Sequence, residues 1–501
     1  MSSANDRAMS PENNRKRSRG NDEAAASASL ADLWSMLRQA LGRIDSLEME
    51  NVAIRGGSAA LRKDLKSLQE ENKAMRGDMD KIKDENRALK WSLKQLAGRV
   101  QQSWEYPEEG WIQPDAYWHN EGFDDDYISD LNEGFIYGVK SAVSGLVHGV
   151  CDHVCIGDIG DESDEGRMIL HDAALVPHWS TLCEYLYTCI NPYGSGVNIS
   201  FGGIQLSEEV MRDICNNLRG RNVREVAFTG IQFTDMRAAI LALGTLLISS
   251  KVESLVWSDI PIESADDMAL FVQMMSERHS GLEKLKFGWN GEGNANALLA
   301  GVDLSKYKRL DFDGNNIRTN GLADILNLIS SNSPLESLDL DSNNLNDDDA
   351  VLIAESLSRN SNLKELRLCS NNIHQRGKSA LLRVIRNTSS MNALSDSNHT
   401  CQVVGLNFEV INSNGQWNRA FKIHDLMVKR YRSGEGNVPY FDREMDDEGS
   451  VCLVPFIMES VHRRHTAIKE EYGYKLRGVS ALGLLYELVR DWRMPELFSF
   501  K

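Results

Sequence analysis

Residues 307–317 read YKRLDFDGNNI, residues 335–345 read LESLDLDSNNL and residues 363–373 read LKELRLCSNNI. The three copies start at Tyr307, Leu335 and Leu363, 28 residues apart each time, and repetition at a fixed period marks stacked supersecondary units. Within the second copy, Leu338 and Leu340 alternate as strand residues do, so both point into one core. Asn343 stands where the chain turns off the strand, and its side-chain amide can satisfy backbone groups that the turn leaves unpaired. Ala350, Ile353, Ala354 and Leu357 then share one face at helical spacing. Such a strand–loop–helix unit cannot bury its apolar face alone; stacked on copies of itself, it can.

The pattern resembles the ribonuclease-inhibitor-like leucine-rich repeat proteins, the group that also includes the Ran GTPase-activating proteins. The repeat length, the Asn and the helical side all carry the resemblance. It is specific for three units and looser outside them. It implies an α/β solenoid with a parallel sheet on the concave side and helices on the convex side, and it does not imply one function, because the fold serves many partners. A GTPase activator is the alternative it suggests. That role would need an Asn orienting the attacking water, and Asn315, Asn343 and Asn371 are better explained as turn residues.

Outward from the three copies, further strand cores lie at residues 199–201, 226–228, 255–257 and 285–287. The first three lack the Asn and put Gly203, Gly230 or Asp259 beside its position; the fourth has Asn290. Units are expected to start at 196, 223, 252, 282, 307, 335, 363 and 391, the last one decayed and ending near Cys401. Residues 151–195 read as a degenerate first unit, with Val154, Ile156 and Ile159 in the strand places and a helix from about 177 to 190. Asp161, Ser163, Glu165, Gly166 and Asp172 are spaced as in a calcium loop. Such a loop follows a helix and ends in Glu, whereas a strand precedes this one. His171 and His178 lack the further ligands a metal needs. Asp172 is therefore read as a cap and Trp179 as core.

Residues 30–100 fit one heptad register. Positions a include Leu65, Asn72, Met79, Asn86 and Leu93; positions d include Leu68, Met75, Ile82, Leu89 and Leu96. Such a seam is a coiled coil. Gly42, Gly56, Gly77 and Gly98 all fall at the outermost position f, and Gly56-Gly57-Ser58 could break the helix in two. Glu50 at g faces Arg55 at the next e, and Glu71–Arg76, Asp78–Lys83 and Glu85–Lys90 repeat the arrangement. Acidic g and basic e pair opposite charges in a parallel dimer, and Asn at a favours two in-register strands. A parallel homodimer is expected.

The chain has 501 residues and a net charge of −18. The tail, residues 1–29, carries +1 and the heptad segment +3, which leaves −22 on the remainder. So acidic a body repels nucleic acid and membrane headgroups and favours a basic partner. No run of about 18 apolar residues suggests a membrane span. The tail reads as disordered, and its cluster Arg15-Lys16-Arg17-Ser18-Arg19 has the composition of a nuclear-import signal. A DNA-binding zipper, a further alternative, needs a basic helix continuous with the coil; here Asn21-Asp22-Glu23 and an Ala/Ser run intervene. A cytoplasmic or nuclear setting fits the eight Cys, none in a C-x-x-C pair.

Residues 101–150 form an acidic linker. No Lys or Arg occurs from Val100 to Val139, while Trp104, Trp111 and Trp118 lie seven apart with Pro107 and Pro114 between them. Pro interrupts a helix, so these aromatic residues are expected to dock the linker on the first unit as an N-terminal cap. A helix is expected from about 126 to 147. The solenoid is assigned to residues 151–401 and a helical C-terminal cap to 402–501, with helical patterns at about 416–432, 451–465 and 479–493. Lys422, Lys429, Arg430 and Arg432 would give that cap a solvated basic corner.

No phosphate loop, nucleophile elbow or zinc-protease motif occurs, and no catalytic residue, cofactor or metal is assigned. Side chains flanking the inward leucines point out on the sheet. They include Ser258, Lys286, Asp311, Asp313, Asp339, Asp341 and Arg367. Four Asp on adjacent strands about 4.8 Å apart repel one another unless something basic sits over them. The expectation is a non-enzymatic scaffold that holds a protein partner with a basic surface on this face.

Overall fold

A computed structural model describes residues 30–99, 106, 111–157, 167–277, 281–318, 322–406, 419–433, 440, 453, 457 and 459. The tail with its basic cluster, Ile159, the acidic loop 158–166, Trp104 and the helical patterns expected beyond 450 lie outside the described residues, apart from single positions. Contacts divide the chain into two units, residues 1–83 and 84–501.

Helix α1 (Leu30–Arg99) is one continuous helix through Gly56-Gly57-Ser58. Gly42 and Gly77 have open space where a side chain would stand. The second unit continues with α2 (Asp115–Asn120), α3 (Asp125–Asp130), a π-helical turn (Leu131–Ile136) and α4 (Tyr137–His148). The helix expected over 126–147 is thus broken by a π segment. Pro114 precedes the first turn of α2, and the Asp124 side chain caps α3.

The repeats follow: β1 (His153–Gly157), α5 (Val176–Cys189), β2 (Val197–Gly202), β3 (Gln205–Leu206), α6 (Glu208–Leu218), β4 (Val223–Thr229), β5 (Gln232–Phe233), α7 (Met236–Ser249), β6 (Ser254–Ser258) and α8 (Ala265–Ser276). Then come β7 (Lys284–Lys286), α9 (Glu292–Gly301), β8 (Arg309–Asp311), α10 (Leu322–Ser330), β9 (Ser337–Asp339), α11 (Asp347–Leu357), β10 (Glu365–Arg367), α12 (Gln375–Ile385), α13 (Met391–Ser395), β11 (Gln402–Val404) and α14 (Arg419–Arg432). The main sheet is nine-stranded, in the order β1-β2-β4-β6-β7-β8-β9-β10-β11, and every pair in it is parallel. Each strand is followed by a helix that returns to start the next. This is a leucine-rich-repeat-like solenoid.

Two details depart from the sequence reading. The last unit does not open on a strand at Met391: residues 391–395 are helical, capped by the Ser390 hydroxyl. The final strand lies at Gln402–Val404, past the expected boundary at 401. The longer connection is held by Asn398, whose amide donates to Leu357 O at 2.9 Å and Asn360 O at 2.7 Å. Lys422, in turn, is not in a solvated corner. It is fully buried, and its Nζ donates to Ile385 O at 2.5 Å and Asn398 O at 3.2 Å. It thereby satisfies a carbonyl at the C-terminal end of α12. Burial, with Arg386 nearby, holds its pKa down to about 7.

The inward residues make one core. Leu338, Leu340, Ala350, Ile353, Ala354 and Leu357 are all buried, as the periodicity requires. The N-terminal edge is closed by the cap: Gly138 in α4 lies so close to β1 that a Cβ there would stand 3.2 Å from Cys155 O. Tyr106 and Trp118 are buried and Trp111 half-buried. His178 links cap and first repeat, with Nδ1 2.5 Å from Tyr106 Oη and Nε2 3.2 Å from Trp111 O. Burial lowers its pKa. Asp172 accepts from Ala174 N at 2.7 Å and from Tyr117 Oη at 3.1 Å, and Trp179 is core. Both act as cap and filler.

Candidate partner-binding face

The turn after each strand decides how side chains reach the sheet face. In the C-terminal repeats the Asn does this by bonding across to the unit before. Asn343 accepts from Ile317 N at 2.9 Å and donates to Phe312 O at 2.9 Å and Asp341 O at 3.0 Å. Asn315 accepts from Asn290 N at 2.9 Å and donates to Phe287 O at 2.6 Å. Asn371 accepts from Leu345 N at 3.0 Å and donates to Leu340 O at 2.8 Å. Asn290, Asn315 and Asn343 are buried. These amides are committed to the turns.

With the turns fixed, the strands align four charged residues in one row. Cross-strand partners run Lys286–Asp311–Asp339–Arg367 across β7, β8, β9 and β10. Lys286 Nζ lies 3.0 Å from Asp311 Oδ2. Arg367 Nε lies 2.8 Å from Asp339 Oδ2, and its Nη2 lies 2.7 Å from Asp341 Oδ2. Two cations of the chain itself therefore bracket the acidic cluster, where the sequence suggested that the charges need an outside basic group. With Asp313 and Asp341 beside the row, four carboxylates face two cations and leave the cluster acidic.

The acids are also part of the fold. Asp311 Oδ1 accepts from Asp313 N at 3.0 Å, and Asp339 Oδ1 accepts from Asp341 N at 2.9 Å. Asp341 accepts from Cys369 N at 2.5 Å and is only 7% exposed. Burial, reinforced by Asp311 and Asp341, raises the Asp339 carboxyl to about 6 against the pull of Arg367. For Lys286, burial opposes the charge, but Asp311, Asp313 and Asp339 outweigh it and raise its pKa. Asp311, Asp313, Asp339, Lys286 and Arg367 stay half-exposed, whereas Ser258 is buried at 4% exposure.

The remaining named residues lie on α1. Leu65, Leu68, Met75, Met79, Ile82, Leu89, Leu93 and Leu96 are each 55–63% exposed, and Asn72 and Asn86 are exposed. Within the second unit, the outer side of this helix touches the first repeat. The Arg87 guanidinium lies 5.7 Å from the Tyr193 ring centroid, and Asn191 Nδ2 donates to Ala88 O at 3.3 Å. Those contacts use positions b and c and leave Leu89, Leu93 and Leu96 exposed.

Two features escaped the sequence reading. A second Asn, three residues before the first repeat apolar residue, holds the turn from helix to strand: Asn360 donates to Ile329 O at 2.7 Å and accepts from Leu363 N at 2.7 Å. The signal was the spacing shared by Asn360 and Asn398 ahead of Leu363 and Cys401. The other is Trp289, half-exposed beside the acidic row. Its signal was a tryptophan where the aligned repeats put Gly, Asp or Ser.

Among the described residues no group of three or more His, Cys, Asp or Glu could hold a metal, and no helix is long and apolar enough to cross a membrane. Burial raises the Cys183 and Cys401 thiols to about 12, which makes them inert core.

No family model and no curated protein matches the chain. Among solved structures it is similar to an internalin from Listeria monocytogenes, at 18% identity, 48% coverage of this chain, 61% of that one and a TM-score of 0.27. It is also similar to a chain of the yeast Rad7–Elc1 complex, at 12% identity, 58% and 89% coverage and a TM-score of 0.24. The chain spans less than two thirds of the internalin chain. Likeness at this level leaves the functional reading to the chain's own geometry.

Proposed function

We propose that this protein is a non-catalytic scaffold of the ribonuclease-inhibitor-like leucine-rich repeat kind. Its sheet face from β7 to β10 holds a protein partner with a basic surface, and α1 pairs two copies in parallel. The observation that carries the reading is the row of charged side chains on the helix-free face, where Asp311, Asp313 and Asp339 remain accessible around Lys286 and Arg367. A partner cation placed there meets surplus carboxylate, while an acidic partner meets like charge. Solenoids bind along such surfaces.

The dimer rests on a separate support. The described a and d side chains of α1 are exposed along a single chain, and the g and e charges match only in parallel. Two copies held together bind a paired or repeated partner with raised avidity. Sedimentation of the full chain at micromolar concentration should give a dimer, and Leu68→Glu with Leu89→Glu should give a folded monomer. A wild-type monomer in that experiment removes the pairing but not the face.

A further inference from the structure

The turn after each strand places one residue in the left-handed region. Across the repeats these are Gly203, Gly230, Asp259, Trp289, Gly314, Ser342 and Ser370, with φ between 52° and 59° except Gly314 at 67°. Six of the seven are glycine or small polar residues, which this conformation favours. Tryptophan at φ 57° is a genuine outlier for a bulky L side chain. A strained residue that the surrounding structure holds in place is a sound starting point for a functional hypothesis.

Three observations say how this tryptophan is used. Trp289 is 50% exposed, whereas the other tryptophans whose side chains are described (Trp91, Trp111, Trp118, Trp179 and Trp257) are buried or half-buried. Its ring is seated: it lies on Gly314 so closely that a Cβ there would stand 2.3 Å from it, and its Nε1 donates to Asp313 Oδ2 at 3.1 Å. Finally, one carboxylate is fixed at its edge, Asp313 holding the indole from the following repeat. Asp259, exposed at the same turn position in the preceding repeat, leans away from the ring, its Oδ2 3.5 Å from where a Cβ on Gly230 would stand.

An exposed indole held at its edge by a carboxylate has the chemistry of a guanidinium seat. A flat cation stacks on the aromatic face, and its N–H groups find the Asp313 carboxylate at the edge. We propose that Trp289, with Asp313, is the docking point for an arginine side chain of the partner. The proposal rests on the scaffold reading above and adds the residue that anchors it. The small polar residues at the equivalent turns offer no such surface, so the arginine is read at one repeat only.

The test uses the full chain labelled with 5-fluorotryptophan, in which Trp289→Phe removes and so assigns one fluorine resonance. Acetylated hexa-arginine, hexalysine and hexaglutamate peptides are titrated in turn. Hexa-arginine is expected to move the Trp289 resonance saturably, hexaglutamate not at all, and hexalysine at least fivefold more weakly. In Asp313→Asn, which keeps an acceptor for the indole, the hexa-arginine affinity should fall at least fivefold. An unmoved Trp289 resonance, an equal response to hexalysine, or an unchanged affinity in Asp313→Asn each overturns the assignment. Should any of these occur while hexa-arginine still binds in a way that Asp311→Asn/Asp339→Asn abolishes, the scaffold reading survives without the anchor.

Discussion

The two halves of the sheet answer the same physical demand differently. In the N-terminal half, strands β2, β4 and β6 run for five to seven residues. The position after the left-handed residue is Ile204, Ile231 and Ile260, all buried. After β2 and β4 the chain continues into a short second ladder, with Gln232 N donating to Ile204 O at 3.2 Å and Gln205 N to Ile169 O at 2.8 Å, so backbone pairs with backbone; after β6, Ile260 N already donates to Asn290 Oδ1 at 2.8 Å. In the C-terminal half the strands shrink to three residues. The same position becomes Asn290, Asn315, Asn343 and Asn371, and side-chain amides replace the second ladder. The cores differ accordingly. The first half stacks rings, Phe201 on Phe228 at 5.6 Å, Phe228 near Trp257 at 6.0 Å and Trp257 on Phe233 at 5.3 Å; the second packs mostly leucine. The Asn solution frees the turn to carry charge, and the acidic row lies in that half.

The comparison can be broken by mutation. Trp257→Ala removes a fully buried ring from the aromatic half and should cost about 3–5 kcal/mol, measured by urea unfolding. Asn343→Ala leaves Ile317 N and Phe312 O without this partner, while Asp341 O keeps Gly314 N, and should cost about 3 kcal/mol. The converse, Ile231→Asn, puts an amide where backbone already pairs and should also destabilise, by about 2 kcal/mol. Tolerance of Asn at 231 would mean that the halves are interchangeable.

Asp339 gives a pH signature confined to the second half. Its folded carboxyl titrates near 6, above the ordinary 3.8, so between those values the folded chain holds a proton that the unfolded chain has released. The associated stability is full below about pH 4 and lost as pH rises through 6. Asp339→Asn cannot ionise, and its stability relative to wild type should therefore rise by about 2 kcal/mol from pH 4 to 7, read from thermal midpoints. The smallest effect is expected at Trp289→Gly. Release of the left-handed strain, about 1–2 kcal/mol, offsets loss of the half-exposed ring, and stability should stay within about 1 kcal/mol of wild type.

The same contrast explains what could be read in advance. The Asn repeats announce themselves because one side chain does one job at one spacing, so Tyr307 to Ile373 gave strands, turns and helix face together. The aromatic repeats hide the same architecture, because backbone–backbone pairing leaves no side-chain signature; only the alternation of Ile199, Phe201, Val226 and Phe228 remained. The final strand was missed because α13 lengthens its unit, which carries Met391 off the expected strand. The burial of Lys422 was also missed, since its role depends on a carbonyl 37 residues away. In the candidate site, alternation placed Lys286, Asp311, Asp339 and Arg367 on one face, but not the ion pairs between them. Trp289 was invisible as a site because its meaning lies in a backbone angle.

The most direct test of the central claim is affinity capture with the full chain, compared with Asp311→Asn/Asp313→Asn/Asp339→Asn, which keeps the turn acceptors and leaves Asp341 intact. Both chains should be equally folded by circular dichroism. Loss of a defined set of basic proteins from the variant, with the remainder retained, is the outcome expected if the acidic sheet face holds the partner. An unchanged set of captured proteins would contradict it and move the binding surface to α1 or the tryptophan-rich cap.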